Sequence, residues 1–325
     1  MSVISTVTVT VPATTANLGP GFDCIGAALS LYNRFQFSRL EPSATEKLKI
    51  TVTGQEAPKV KTDDSNLAYL AFLKLYDRLN QSPPPVAIHI DMQVPLARGL
   101  GSSATAIIGG LVGANELAGK PLSQVEVMQL AIELEGHPDN VVPALLGGCR
   151  LAASSVKNQP QRRRERPDDD AEGFGWEICD IPWHSSIVPV VAIPDFELST
   201  AEARKVLPND YSKADAIFNA AHVGLLVRAL ETGNENWLRC ALQDKIHQPY
   251  RQSLIKGYEA VQEAAVNAGA CGMVISGAGP TLLALTDVTN VDVVVREMAA
   301  AWGEFGVKAD VRAIDLDTQG AQISS

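Results

Sequence analysis

Cysteine, basic residues and long apolar runs are all scarce in this sequence, and each shortage excludes a class of protein. Only five of the 325 residues are cysteines, and they form no C-x-x-C pair: Cys24, Cys149, Cys179, Cys240 and Cys271. Their odd number and wide spacing argue against a disulfide framework or a zinc ribbon and suit reduced thiols in the cytoplasm. No stretch approaches the ~20 uninterrupted apolar residues of a membrane-spanning helix, so we expect no membrane partner.

Lysine and arginine are outnumbered by acidic residues, 27 against 37, which gives a formal net charge of −10. A nucleic-acid binder needs a clustered excess of basic side chains to neutralise phosphates, so we expect no nucleic acid among the partners. Small molecules or other proteins remain. The first basic residue is Arg34, so the N-terminal segment lacks the charged region of a signal peptide, and a cytoplasmic location is expected.

The length of the chain predicts two domains of ~100–200 residues each. A hydrophobic fraction of 46% is sufficient for sizeable cores. Residues 157–173 (KNQPQRRRERPDDDAEG) contain almost no apolar side chain and are predicted to form a solvated loop or linker. The predicted domains therefore span residues 1–156 and 174–325.

Hydrophobic periodicity predicts a mixed fold. Alternation of Val and Thr from Val3 to Val11 predicts a strand that ends at Pro12, followed by a loop over residues 14–23. Further strands are predicted at 33–37, 48–53, 86–92, 186–193, 272–276 and 281–286, and helices from Asn66 and over 106–117, 123–135, 213–231, 253–268 and 291–305. Because these elements alternate without a strict βαβ rhythm, the α+β class is favoured.

A glycine-rich segment, G-L-G-S-S-A from Gly99 to Ala104, opens the helix that follows it. Its glycines permit close approach of a ligand, and the free amides of the first helical turn attract an anion. A glycine turn with serine caps is the alternative. The segment does not directly follow a strand, as a dinucleotide fingerprint would, and the Walker-like run from Gly113 to Lys120 has one residue too many and Pro121 in place of the hydroxyl residue.

Phosphate chemistry also needs a carboxylate for Mg²⁺, and Glu133 and Glu135 at the end of the predicted helix 123–135 are candidates. Each is equally typical of a surface glutamate. The next residues, Gly136-His-Pro-Asp-Asn140, concentrate polar groups that a turn alone does not need.

Three motifs together indicate a known family. They are P-A-T-x-A-N-L-G-P-G-F-D at Pro12–Asp23, P-x-x-x-G-L-G-S-S-A at Pro95–Ala104, and G-A-G-P-T at Gly277–Thr281. With E-G-H-P-D-N at Glu135–Asn140, the chain resembles the GHMP kinases over nearly its whole length. The resemblance implies an ATP-dependent kinase with a ribosomal S5 domain 2-like N-terminal half, a ferredoxin-like C-terminal half and a rare left-handed βαβ crossover. The family is often dimeric, so a homodimer is among the expectations.

The resemblance also implies how the nucleotide binds. ATP is expected along the glycine-rich loop and the residues around it, with Asn66 near the adenine: Pro95, Leu96, Ala97, Arg98, Gly99, Leu100, Gly101, Ser102, Ser103, Ala104 and Thr105. Ser103 and Glu133 are expected to hold Mg²⁺. Glu133 is preferred to Glu135 because it lies further inside the predicted helix.

The first motif and the E-G-H-P-D-N-V-x-P-A-L-x-G-G segment are most similar to the branch that phosphorylates L-homoserine for threonine biosynthesis. This implies that Asn17, Asp23, His137 and Asn140 surround the acceptor and that Arg204 and Arg251 hold its carboxylate, for which bidentate arginine is well suited. Asn140 and Asp139 are the catalytic candidates, although a loose transition state tolerates the absence of a base. Alternatives are a turn cap for Asp23, a core imidazole for His137 and surface ion pairs for the arginines.

Two other functions remain open at this stage. One is a GHMP enzyme that acts on mevalonate, a sugar or a diphosphocytidyl alcohol. The other is a GHMP-like protein that binds a nucleotide or a partner without catalysis.

Overall fold

The molecule is organised around two β-sheets. The computed structural model describes residues 5–41, 46–155 and 175–324, so the predicted linker 157–173 lies outside the described residues. Within the described residues the strands are β1 (Thr6–Ala16), β2 (Ile25–Arg39), β3 (Leu48–Thr53), β4 (Val86–Asp91), β5 (Cys149–Ser154), β6 (Trp176–Ile181), β7 (Val188–Pro194), β8 (Gly272–Ile275), β9 (Leu282–Thr286), β10 (Ala309–Ala313) and β11 (Gln322–Ser324).

Side chains cap the N-termini of several helices. In the same part of the chain the helices are α1 (Leu67–Arg78), α2 (Ser102–Leu117), α3 (Gln124–Glu135), α4 (Pro138–Leu146), α5 (Thr200–Lys205), α6 (Lys213–Thr232), α7 (Glu235–Ala241), α8 (Gln248–Arg251), α9 (Tyr258–Asn267) and α10 (Val291–Glu304). Asn66 caps α1 and Ser123 forms a capping box with Glu126 at α3, as their spacing predicts. None of these helices combines the length and hydrophobicity needed to cross a bilayer.

The first sheet has seven strands and is centred on β2. One edge of β2 pairs with β1, while the other pairs with β4 near one end and with β5 near the other. β3 and β4 are parallel and are joined through α1, and the handedness of this crossover stays a prediction. Helices α1 to α4 pack on one face over a core that includes Val9, Phe37, Phe72 and Ile108.

The prediction that the first strand ends at Pro12 is wrong, because β1 continues to Ala16 and takes in part of the predicted loop. The register between β1 and β2 shifts between Pro12 and Ala13, where Ser30 and Leu31 of β2 have no partner in β1. Proline has no N–H to contribute to a β-ladder, and an irregularity of this kind accommodates it without breaking the strand. The strand thus carries Thr14 and Thr15 forward to the other motifs.

The second sheet has the strand order β10-β7-β9-β8, and all of its pairs are antiparallel. With α9 before β8 and α10 before β10, it follows the β-α-β-β-α-β plan of ferredoxin-like domains, which confirms the α+β expectation for the C-terminal half. Residues of β9 alternate between faces: Leu283 and Leu285 contact the core beside α6 and α7, whereas Leu282 and Ala284 contact α9 and α10.

The two halves of the chain share structure across the predicted boundary. β6 pairs with β5 and β11 pairs with β1, so both strands from the second half join the first sheet. One apolar cluster contains Ile25 and Leu29 of β2 together with Leu226 of α6 and Val274 of β8. This common core fixes the second sheet against the first, with the open site at their junction.

Candidate active site

A cleft of about 700 Å³ lies at the junction of the two halves. Its walls include most of the residues that the sequence predicts for ATP and the acceptor: Asn17, Asp23, Asn66, Leu96, Ala97, Arg98, Gly99, Gly101, Ser102, Ser103, His137, Asn140, Arg204 and Arg251. They come from segments far apart in the chain. Tertiary contacts bring them together.

Backbone contacts hold the three motifs against one another. The N–H of Thr14 donates to Leu100 O at 3.1 Å, and the N–H of Gly277 donates to Ala16 O at 2.9 Å. The Oγ of Ser276 lies 2.7 Å from Gly99 O. At Gly99 a Cβ would collide with the carbonyl oxygen of Ser276, and its φ of +76° also favours glycine, so no larger residue fits this crossing.

The first turn of α2 faces the cleft and carries the predicted hydroxyls. Ser103 Oγ donates a hydrogen bond of 2.7 Å to Glu135 Oε1 at the end of α3. Burial raises the pKa of Glu135, although the hydrogen bond from Ser103 opposes the shift. A hydroxyl and a carboxylate oxygen therefore meet at the helix N-terminus, where a phosphate is also favoured.

Elsewhere in the cleft wall, an arginine meets the carboxylate of the first motif. Arg204 donates to both oxygens of Asp23, at 2.8 and 3.1 Å. The guanidinium also lies over the Phe22 ring, 5.6 Å from its centroid. This bidentate pair is half-exposed, so it is open to exchange with a ligand that offers both charges.

Arg251 is a buried cation that forms no ion pair with any carboxylate of the described residues. Its side chain is 1% exposed and donates to the carbonyls of Ala203 and Gly277, each at 3.1 Å. No carboxylate in the described ranges lies within 4.0 Å of its guanidinium. Burial, and then the neighbouring positive charge of Arg204, lower the pKa of Arg251 to about 10, so it stays charged at neutral pH. A buried positive charge of this kind is suited to an anionic group.

The G-H-P-D-N segment places three polar side chains beside Asp23. His137 Nδ1 lies 2.6 Å from Asp139 Oδ1, and Thr14 Oγ1 donates to Asn140 Oδ1 at 2.8 Å. Burial opposes protonation of His137, but the hydrogen bond and charge of Asp139 outweigh it and raise the pKa of His137. Asp139 itself is 2% exposed, and its Oδ2 has no hydrogen-bond partner among the residues that the structure describes.

Comparisons with known proteins place the chain in a family. The family model for the GHMP kinases N terminal domain matches residues 66–148, and the model for the GHMP kinases C terminal matches residues 226–304. A homoserine kinase of Trichormus variabilis is 65% identical over 99% of this chain and 100% of its own length. The chain belongs to the GHMP kinase family.

Two further relatives support the assignment. A homoserine kinase of Trichodesmium erythraeum is 64% identical over 100% of both chains. The crystal structure of homoserine kinase from Cytophaga hutchinsonii has a TM-score of 0.85 and 26% identity, and the match covers 100% of this chain and 99% of that one. The predicted two-domain GHMP kinase fold is confirmed, and this GHMP chain is an ATP-dependent kinase.

Several predicted residues of this GHMP kinase lie elsewhere than expected. Glu133 is exposed and does not line the cleft, because α3 directs Glu135 inward instead. The side chains of Leu100, Ala104 and Thr105 are buried, since the same helical turn that presents Ser102 and Ser103 must turn its other face to the core. Asp139 and Pro95 also lie outside the cleft wall.

Two residues that are predicted to bind ATP already use their polar groups in hydrogen bonds within the protein. Arg98 donates to the carbonyls of Leu96, Pro194 and Asp195 and is 6% exposed, so it ties the glycine-rich loop to β7. Asn66 uses its side chain to cap α1 and to donate to Lys61 O. Both residues contribute to the cleft wall, but their polar groups already have partners.

Sequence reasoning overlooked Phe22, Asn33, Lys59 and Lys61. The two lysines line the cleft, and Lys59 forms ion pairs with Glu56 and Glu197. The centroid of the Phe22 ring lies 5.6 Å from the guanidinium carbon of Arg204 and 5.1 Å from that of Arg251. Phe22 is part of a quoted motif, but the other three have no distinctive local pattern, and only their tertiary position reveals them.

Gly26→Ala is expected to lower the free energy of unfolding by about 3 kcal/mol, because overpacking against fixed atoms is costly. A Cβ on Gly26 would collide with the backbone carbonyl of Asp139, the second residue of α4. Chemical denaturation measures the loss. Gly224→Ala is the matched control, since a Cβ there meets nothing within 4 Å, and it is expected to stabilise α6 by up to ~1 kcal/mol. Equal stability of Gly26→Ala and the wild type would contradict this account of the packing.

Proposed function

We propose that this GHMP kinase is a homoserine kinase, which transfers the γ-phosphate of ATP to the side-chain hydroxyl of L-homoserine. The product is O-phospho-L-homoserine, an intermediate of threonine biosynthesis, and the free cysteines suit an enzyme of the cytoplasm. The proposal rests above all on the acceptor end of the cleft, where the carboxylate of Asp23 lies beside two arginines. The relatives at 64–65% identity carry the same name.

The acceptor is a zwitterion, and the cleft offers both charges. Asp23 and Arg204 neutralise each other when no ligand separates them. In the proposed complex Asp23 accepts from the substrate ammonium, and Arg204 and Arg251 donate to the substrate carboxylate. Exchange of one ion pair for two gives each charge of the substrate an opposite charge while water is excluded, and the substrate carboxylate is shared by two guanidiniums.

The residues at the N-terminus of α2 fit a magnesium ion. Ser103 and Glu135 supply a hydroxyl and a carboxylate oxygen, the hard donors that Mg²⁺ prefers. When bound, the ion supplies charge neutralisation between the phosphates of ATP. Glu135 thus replaces Glu133 as the proposed ligand, while Ser103 keeps its predicted role.

The remaining polar groups position the reacting atoms. The amides of the first turn of α2 donate to the nucleotide phosphates, and Lys59 and Lys61 lie along the same cleft. His137 and Asn140 hold the acceptor hydroxyl, and Asp139 fixes His137 from behind. Positioning and charge stabilisation account for most phosphoryl-transfer catalysis, so no strong base is required.

A panel of acceptors tests the proposal. ADP release is measured with Mg·ATP and L-homoserine, L-threonine, mevalonate or galactose at equal concentrations. We expect L-homoserine to be favoured in kcat/KM by at least ~100-fold over mevalonate and galactose, because buried charges left unpaired reject a ligand that lacks the matching group. Turnover of mevalonate or galactose with homoserine inert would refute the assignment. Gel filtration with light scattering separately tests the homodimer, which stays a prediction.

A further inference from the structure

The glycine-rich loop is pinned at both ends by one side chain, that of Asn33 in β2. Asn33 Oδ1 accepts from the N–H groups of Gln93 and Val94, at 2.8 and 2.9 Å, where the chain leaves β4. Its Nδ2 donates to Thr105 Oγ1 at 2.8 Å, in the first turns of α2. Thr105 in turn donates to Ser102 O at 2.8 Å. The loop between these points therefore spans two fixed ends.

Burial protects these hydrogen bonds of Asn33 and Thr105 from water. Asn33 is 1% exposed and Thr105 is 0% exposed, so neither side chain can exchange its partners for water without opening the wall of the cleft. The two N–H donors at Gln93 and Val94 require the oxygen of the amide on their side, which fixes the nitrogen towards Thr105. The orientation of the amide follows from this network.

The hydrogen bonds of Asn33 determine which groups of the loop and of α2 face the nucleotide. Ser102 and Ser103 lie in the turn that Thr105 anchors, and Leu96 to Gly101 make up the loop that Asn33 closes. Preorganised amides bind phosphate better than mobile ones, because no ordering cost is left at binding. Asn33 also lines the cleft, and its side-chain bonds to Gln93, Val94 and Thr105 set the shape of the anion site.

We propose that Asn33 is a positioning residue for the nucleotide-binding loop, acting through Thr105 and the amides of Gln93 and Val94. The inference rests on the proposed function only in that the loop binds ATP. The proposal predicts that substitution of Asn33 weakens nucleotide binding selectively. The proposed acceptor residues make their side-chain hydrogen bonds to groups other than Asn33 and Thr105: Asp23 and Arg204 pair with each other, and Arg251 donates to the carbonyls of Ala203 and Gly277.

The test compares Asn33→Ala with Asn115→Ala. Asn115 is also buried, at 9% exposure, and it brackets a loop at the opposite end of α2 by exchanging two hydrogen bonds with Leu122. Asn33→Ala loses three side-chain hydrogen bonds and Asn115→Ala loses two, so both are expected to lose thermal stability, and Asn33→Ala is expected to lose more. We expect Asn33→Ala to raise the ATP KM and the calorimetric Kd of Mg·ATP about 10-fold. The homoserine KM stays within twofold, and Asn115→Ala changes neither constant.

Thr105→Val supplies a second variant that keeps the bonds to Gln93 and Val94, and it decides the matter where Asn33→Ala does not fold. It is expected to weaken Mg·ATP about threefold, and the double variant is expected to be less than additive, because both residues act through one network. A rise in the ATP and homoserine KM by the same factor, or an equal loss of nucleotide affinity in Asn115→Ala, would overturn the inference. Wild-type enzyme that binds Mg·ATP but does not phosphorylate homoserine would instead reject the proposed acceptor, and calorimetry would still decide the role of Asn33.

Discussion

Glu135→Gln is expected to lower kcat by roughly 100- to 1000-fold. A divalent cation contributes several kcal/mol of charge stabilisation to the transition state, and this substitution removes the anionic donor at the proposed ion site. The glutamine keeps the size of the side chain and can still accept from Ser103 Oγ. The fold of α3 should therefore be retained, and thermal melting checks this. Steady-state kinetics over a range of Mg²⁺ concentrations measures the effect, and the variant is expected to need far more Mg²⁺ for half-maximal rate.

Glu133→Gln is the matched control, since Glu133 lies in the same helix, two residues earlier, and is exposed outside the cleft. It is expected to keep kcat and the Mg²⁺ requirement within about twofold of the wild type. The two variants separate the earlier sequence prediction from the structural one. A large loss in Glu133→Gln with Glu135→Gln near normal would restore Glu133 as the ligand and remove the central argument for the ion site.

Arg251→Met is expected to raise the homoserine KM about 100-fold, which corresponds to about 2.8 kcal/mol of binding free energy. The reason is the environment of the guanidinium, which is 1% exposed and has no carboxylate partner among the described residues. Removal of one partner from a buried, charge-assisted contact costs more than loss of a surface pair. The ATP KM should change by no more than about threefold, because the glycine-rich segment and the first turn of α2 bind the nucleotide in the proposed function.

Arg150→Met separates this effect from loss of packing. Arg150 also donates to two backbone carbonyls, those of Leu146 and Gly147, but it pairs with Asp180 and lies outside the cleft. Its substitution should change stability without changing either KM by more than about twofold. If Arg251→Met raises both KM values equally, the carboxylate role is wrong and the arginine serves the fold alone. Binding of homoserine amide, which lacks the carboxylate charge, should be weak in the wild type and insensitive to Arg251→Met.

The contrast between Glu133 and Glu135 shows where local reasoning fails. Both residues lie at the end of α3, and the sequence contains no periodic signal that separates them. The orientation of the last helical turn decides which one meets Ser103, and that orientation is set by how α3 packs on α2 and leads into α4 through Gly136. Arg98 gives the opposite lesson. It lies within a motif typical of nucleotide binding, yet its guanidinium binds backbone carbonyls of the second sheet.

The resemblance of three motifs indicated the family and most residues of the cleft. Pattern by itself predicted the α+β class and the starts of α1 and α3, because capping and periodicity are local properties of a sequence. Tertiary structure alone decided which glutamate faces the N-terminus of α2, that β1 passes through Pro12, and that Asn33 closes the glycine-rich loop. The contacts of Glu135 and Asn33 join residues 32 to 72 positions apart in the chain, and the register of β1 depends on residues 16 to 20 positions apart. Their proximity is an outcome of packing between elements, and packing has no signature within one segment of sequence.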